Sequence, residues 1–325
     1  MLKLTKTKII LIVLGEPNST FSELLFKFFN SIKFKRIKKK VVLIGSAELL
    51  KKQMKFLDYK VKLNQISDIE NSDIRKINII NVNFKFKTPF SNISKVSNKY
   101  IQDCFNLSLK LIKDKKAHFL INGPISKKHF LKKKFPGITE YIAKKTNSSD
   151  PVMLIYNELL SVSPLTTHVP IKNVSKFVKK QKIIKNVIQI NKFYKDKLGK
   201  GARIAILGLN PHCETTDKIS EEKTEIVPAI KFLIKKQIKI VGPLAADTFF
   251  LEKNLKRFDV VLGMYHDQVL SPIKTLFKFN AINITIGLPF IKITPDHGPN
   301  FEMIGENKSD PSSIFYALNF LNKIK

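Results

Sequence analysis

The sequence predicts an α/β fold built on largely parallel sheet, and three observations carry that prediction. Short apolar runs rich in β-branched residues recur at 9–14, 41–45, 77–82, 117–121, 203–209 and 260–264, too short for helices and close to turn residues or histidines. Between them lie stretches such as 21–32, 47–57 and 94–114, whose apolar positions recur at helical spacing. Strands alternating with helices predict a parallel sheet covered on both faces, and the near-continuous apolar character of the runs fits burial on both sides. With 325 residues and 43% hydrophobic content, the chain can bury a large core in two domains or one large one.

Taken in order, residues 9–14 read as a buried first strand that turns at Gly15-Glu16-Pro17-Asn18. Helix, strand, helix and strand follow at 21–32, 41–45, 47–57 and 77–82. A polar, proline-containing connector at 84–93 leads into the amphipathic helix at 94–114 and the strand at 117–121. The next segment, Asn122-Gly123-Pro124-Ile125-Ser126-Lys127, either holds an anion at a helix start or is simply a capped turn. Residues 152–156 and 164–167 read as strands, and 172–197 as one or two surface helices with a solvated charged face. Strands at 203–209 and 238–241 come next, the second opening into a helix with Asp247 in its first turn, where an acid favours the helix dipole. The strand at 260–264 stops at Tyr265-His266-Asp267-Gln268. A further apolar run at 281–287 precedes Lys292, Asp296, His297 and Gly298, and Asp310-Pro311-Ser312 caps a last helix at 313–322.

The net charge of +32 invites a nucleic acid or an anionic surface as partner. Yet only four of the 58 basic residues are arginine (Arg36, Arg75, Arg203 and Arg257), whereas base readers lean on arginine for bidentate contacts. The lysine excess, spread along the chain among Ile, Asn and Phe, has the look of coding bias, and nucleic-acid binding becomes the lesser reading. The charge can still steer phosphorylated ligands. Two cysteines, Cys104 and Cys213, make no disulfide framework, the apolar run at 9–14 is too short for a secretory signal, and no segment suits a membrane span. A cytoplasmic, soluble protein is expected.

Chemistry concentrates where strands end. His168, His212 and His266 each follow an apolar strand closely, at the edge where open α/β sheets place their sites. If the three imidazoles converge, they form a divalent metal site with an open position for substrate; otherwise they are ordinary loop histidines. Zinc suits three imidazoles, while open oxygen positions also admit cobalt, manganese or magnesium. Asp247 and Asp267 would support such a metal or relay a proton.

These motifs resemble one family closely. PISK (124–127), FPGITE (135–140), TTHVP (166–170), GLNPH (208–212), GPLAADT (242–248), MYHDQ (264–268), NITIGLPFI (283–291) and DHG (296–298) are similar to the signature of the 4-hydroxythreonine-4-phosphate dehydrogenases of vitamin B6 synthesis. The resemblance implies two α/β/α domains with a cleft between them, like those of isocitrate and isopropylmalate dehydrogenases. Residues 1–135 with 295–325 would be the nucleotide side, and 136–294 the metal, substrate and dimer side. It implies a homodimer with a shared active site, one divalent metal on His168, His212 and His266, and NAD or NADP as oxidant. The substrate would be a small phosphorylated hydroxy-amino acid held by Thr139, Lys274, Asn283 and Lys292, with Asp247, Asp267 and Lys274 as catalytic groups. The stretch from Asp296 through Gly305 to Asp310 resembles the adenine-side loop of the wider group, giving His297 and Gly298 as cofactor contacts, and the lack of a G-x-G-x-x-G fingerprint agrees. Three positions depart from the family: GEPNST stands for its glycine-rich first turn, Ile138 for a substrate-contacting histidine, and Lys292 for an arginine. These departures leave room for a related dehydrogenase acting on another phosphorylated hydroxy acid.

Overall fold

The protein, seen in a computed structural model, is described at residues 7–131, 134–215, 219–278, 280–295 and 299–324. Strands and α-helices are numbered in chain order, and the chain divides into two compact units, one of 1–149 with 288–324 and one of 150–287. The division falls later in the chain than residue 135 and earlier than 295, so the segments carrying Thr139 and Lys292 belong to the first unit.

The first unit contains strands β1 (Ile9–Val13), β2 (Lys40–Gly45), β3 (Leu63–Gln65), β4 (Ile77–Asn81), β5 (Phe119–Asn122) and β12 (Ile291–Pro295). They pair in the order β3-β4-β2-β1-β5-β12, every pair parallel. Helices α1 (Phe21–Phe29), α2 (Ala47–Phe56), α3 (Asn98–Lys113), α4 (Ile138–Lys145) and α11 (Ser312–Lys323) accompany them. The sequence explains these choices. All five β1 residues are buried, as a strand covered on both faces requires. Along α3, Tyr100, Ile101, Cys104, Phe105 and Ser108 form one buried stripe, and Ser46 caps α2 by accepting from Leu49 N at 3.2 Å.

The first turn, GEPNST, is built differently from a glycine-rich loop. Gly15 keeps a left-handed φ of 73°, and a Cβ there would stand 2.4 Å from the Pro124 carbonyl oxygen, so this glycine is required. Beyond it, buried side chains take over. The Glu16 carboxylate accepts from Asn18 N at 3.2 Å and Ser97 Oγ at 2.9 Å, Asn18 Oδ1 accepts from Ser91 N at 2.9 Å, and Gln53 Nε2 donates to the Pro17 and Pro89 carbonyls, each at 2.9 Å. Hydrogen bonds thus hold the connector at 84–93 against the turn.

The second unit contains β6 (Val152–Tyr156), β7 (Ser161–Thr166), β8 (Ile204–Leu207), β9 (Ile240–Leu244), β10 (Val260–Tyr265) and β11 (Ile282–Ile286). Its helices are α5 (Val174–Phe177), α6 (Lys180–Leu198), α7 (Val227–Lys235), α8 (Ala246–Phe249), α9 (Glu252–Leu255) and α10 (His266–Phe277). The order is β11-β6-β7-β10-β8-β9. Strands β7, β10, β8 and β9 run parallel, but β6 is antiparallel to both β7 and β11, so the expectation of a parallel sheet fails there. The reason is length: only residues 157–160 join β6 to β7, too few for the crossover that parallel neighbours need.

At the amino-terminal end of β10, Asp259 accepts from Arg203 N at 2.8 Å, Arg203 Nε at 3.0 Å and Lys200 Nζ at 2.9 Å. Burial works against its charge, but these bonds outweigh burial and hold its pKa at about 2. A depressed carboxylate pKa contributes stability above the unfolded value and loses it as pH falls. Because its cationic partners are solvent-exposed and screened, Asp259→Asn is expected to cost about 1 kcal/mol in urea unfolding near neutrality, with the gap to wild type closing between about pH 4 and pH 2.

Candidate active site

In the second unit, the carboxyl ends of β7, β10, β8 and β9 share one sheet edge, and each delivers a candidate residue. Thr166 and Tyr265 are register partners, so His168 and His266 follow adjacent strand ends. Ile206 pairs with Leu262, and His212 sits in the turn Pro211–Cys213 just beyond β8. Asp247 lies in the first turn of α8, beyond β9.

Several bonds fix this edge. Thr166 Oγ1 donates to the Met264 carbonyl at 2.8 Å, joining the ends of β7 and β10. Buried Gln268 accepts from Met264 N at 2.7 Å and donates to the Gly208 carbonyl at 2.8 Å, joining the start of α10 to the end of β8. The Glu222 carboxylate accepts from Leu209 N at 2.8 Å and from Asn210 N and Nδ2 at 2.9 Å each, which anchors the approach to His212. Burial opposes the Glu222 charge, yet those bonds prevail and keep its pKa below the usual carboxylate range. His212 and Cys213 adopt left-handed φ values of 54° and 63°, and the Cys213 side chain turns back over Gly208. Non-glycine residues there are sterically costly and persist where the surroundings over-determine them.

His266 Nδ1 lies 2.7 Å from Asp267 Oδ1, and His212 Nδ1 lies 3.7 Å from Asp247 Oδ2. An imidazole whose Nδ1 meets a carboxylate presents Nε2 outward, the usual arrangement of a metal-binding histidine and its outer partner. The donor chemistry therefore suits a divalent ion, although among the described residues no three such side chains are drawn together into a cluster. Lys274 is half-buried in the third turn of α10. Asn283 lies on β11 opposite Ile155, and its Oδ1 is buried with no hydrogen-bond partner among the described residues. Such an orphaned acceptor suits a ligand hydroxyl or ammonium.

In the first unit, Thr139 stands in the first turn of α4 and its Oγ1 accepts from Lys292 Nζ at 3.3 Å. Lys292, on β12, is fully buried. Burial draws its pKa down to about 7, against the nearby Glu140 carboxylate, which favours the charge. Ile138 packs against the apolar core of this unit. Ser126 accepts from His129 N at 3.2 Å at the start of a π-helical turn, Lys127–Leu131, which matches the capped-turn reading of that segment. His297 and Gly298 lie outside the described residues.

Sequence reasoning missed Gln268 and Glu222 as organisers of the edge. Gln268 was visible within MYHDQ, whereas Glu222 reaches back to Asn210 from 12 residues along the chain, a spacing that forms no local motif.

A largely parallel α/β unit that brings histidines and carboxylates to one carboxyl edge has the build of an enzyme site. The family model described as "Pyridoxal phosphate biosynthetic protein PdxA" matches residues 37–321. A 4-hydroxythreonine-4-phosphate dehydrogenase of Sulfurihydrogenibium sp. is 37% identical over 321 residues, 97% of each chain. A protein of Oceanobacillus iheyensis, provisionally named a D-threonate 4-phosphate dehydrogenase, is 28% identical over 326 residues, again 97% of each. The crystal structure of the Klebsiella pneumoniae 4-hydroxythreonine-4-phosphate dehydrogenase shares the fold, with a TM-score of 0.84 at 24% identity over 97% of this chain and 98% of that one. The chain belongs to the 4-hydroxythreonine-4-phosphate dehydrogenase family of pyridoxal phosphate biosynthesis. Among the described residues no helix is long and apolar enough to cross a membrane.

Proposed function

We propose that this chain oxidises 4-phosphooxy-L-threonine with NAD and releases carbon dioxide from the resulting β-keto acid, using one divalent metal ion, preferably zinc. The observation that carries the reading is the shared edge of His168, His212 and His266 with Asp247 and Asp267 beside them. A divalent ion on these imidazoles supplies polarisation of the substrate hydroxyl and stabilisation of the charge that develops on decarboxylation.

The chain's own residues do the rest. Asp267, exposed and bonded to His266, orients that ring, and either it or Asp247, which lies 3.7 Å from His212, receives the hydroxyl proton. Thr139 and Lys292 hold the phosphate, Lys274 brings positive charge to the substrate, and Asn283 Oδ1 accepts from its hydroxyl or ammonium. His297 and Gly298 contact the nicotinamide cofactor. The active enzyme is a homodimer with a shared site, working in the cytoplasm.

Ile138 favours a second reading. Where the family places a polar contact, this chain has a partly buried aliphatic side chain packed against the core, and one relative is provisionally named for a substrate without the amine. NADH formation should be followed with 4-phosphooxy-L-threonine and with D-threonate 4-phosphate, each with and without chelator. The leading reading expects metal-dependent turnover of the amine-bearing compound; turnover of the amine-free compound alone hands the case to the second, and chelator-resistant turnover removes the metal.

A further inference from the structure

Lys292 is the largest polar side chain that the first unit buries completely. An ammonium carries three N–H donors, but among the described residues Nζ has one hydrogen-bond partner, Thr139 Oγ1 at 3.3 Å. Among the described residues, its surroundings offer one charge. On α4, Thr139 is neutral and Glu140 acts on Nζ as a countercharge. On β5, the register partner is Leu120, and α11, which also packs on β12, buries only Ser313, Ile314, Ala317, Leu318, Phe320 and Leu321. At the head of α4, Gly137 provides no side-chain cap.

We propose that Lys292 is a proton-linked anion receptor: in the chain by itself, at mildly alkaline pH, it rests largely as the neutral amine, and it takes up a proton when an anionic group settles on Thr139. This rests on the reading of Thr139 and Lys292 as phosphate contacts, and adds that phosphate binding carries a proton with it. The balance is simple. The Nζ lone pair takes a proton from solvent, the anion gains a cationic donor one hydrogen bond away, and no other bond forms or breaks. Desolvation, which disfavours the bare ammonium and places its pKa at about 7, is offset once an opposite charge arrives. An arginine could not act in this way, because guanidinium stays protonated throughout.

Sulfate is the suitable probe, since it is dianionic and does not itself titrate near neutrality. Calorimetric titration of the intact protein with sulfate at about pH 8, in buffers of different ionisation enthalpy, reads the protons taken up per anion bound. Wild type is expected to take up close to one proton and to lose affinity by roughly tenfold per pH unit above neutrality. Lys292→Arg should bind with little uptake and a flat pH profile, and Lys292→Met should bind at least roughly tenfold more weakly. Sulfate binding by wild type without proton uptake, equal uptake by Lys292→Arg, or no sulfate binding at all would each overturn the proposal. Failure of the dehydrogenase reading shows separately, as absence of NADH formation with either phosphorylated substrate.

Discussion

His212→Ala is expected to strip the divalent ion from the purified protein and to lower NADH formation by at least the roughly 10–100-fold that even outer partners of metal-bound histidines carry. The same outcome is expected for His168→Ala and His266→Ala, because an open catalytic site with three protein ligands cannot hold its ion well with two. His212 is the most informative of the three. Its side chain is 76% exposed and the Glu222 bonds hold the backbone ahead of it, at Leu209 and Asn210, so truncation should leave the fold intact. Elemental analysis gives the metal content per chain, and His129→Ala, in the first unit, serves as control. Unchanged metal content in all three edge variants would show that the histidines do not form the site. Asp267→Asn is a milder version, leaving His266 Nδ1 a neutral partner instead of a carboxylate.

The second large effect is on stability and runs against intuition. Lys292→Met should make the protein more stable near neutrality while impairing catalysis. The sign follows from the depressed pKa. In the unfolded chain the lysine holds its proton up to about pH 10.5, whereas in the folded protein it releases it at about pH 7. Between those values the unfolded state binds more protons, so stability rises with pH there, and the cost of burying the lysine is fully present below about pH 7. At 1.36 kcal/mol for each pH unit, that cost is on the order of 3–5 kcal/mol. Urea unfolding of Lys292→Met and wild type at about pH 6.5 should separate by an amount of that order, and the gap should close towards pH 10. A variant less stable than wild type throughout would mean that the Thr139 bond and Glu140 more than repay the burial. A buried cation that costs stability beside polar groups is the expected signature of a residue kept for function.

Much of this molecule could be read along the chain. Apolar runs such as 9–14 and 260–264 are strands because a sheet covered on both faces needs uninterrupted hydrophobic residues, and the helical spacing in 94–114 matches the buried stripe of α3. His168, His212, His266 and Asp247 could be placed near strand ends because both the runs and their interruptions are local features. The short β3 and β12 left little signal, being three and five residues long and, for β12, holding a lysine at its second position.

The sequence by itself determined the alternation of strand and helix, the family, and the residue types able to do chemistry, since each rests on periodicity or on a contiguous motif. Only the tertiary structure decided that β7, β10, β8 and β9 are neighbours, because strand order is set by packing between segments far apart in the chain. It also decided that Glu222 and Gln268 hold the loop before His212, and that Ile138 packs, partly buried, against the core. The same holds for Lys292, a surface-type residue by composition, whose burial between β12 and α4 gives it a pKa near 7. Burial and partnership are properties of three-dimensional surroundings, and a lysine flanked by isoleucines reads the same in sequence whether its amine meets water or a threonine hydroxyl.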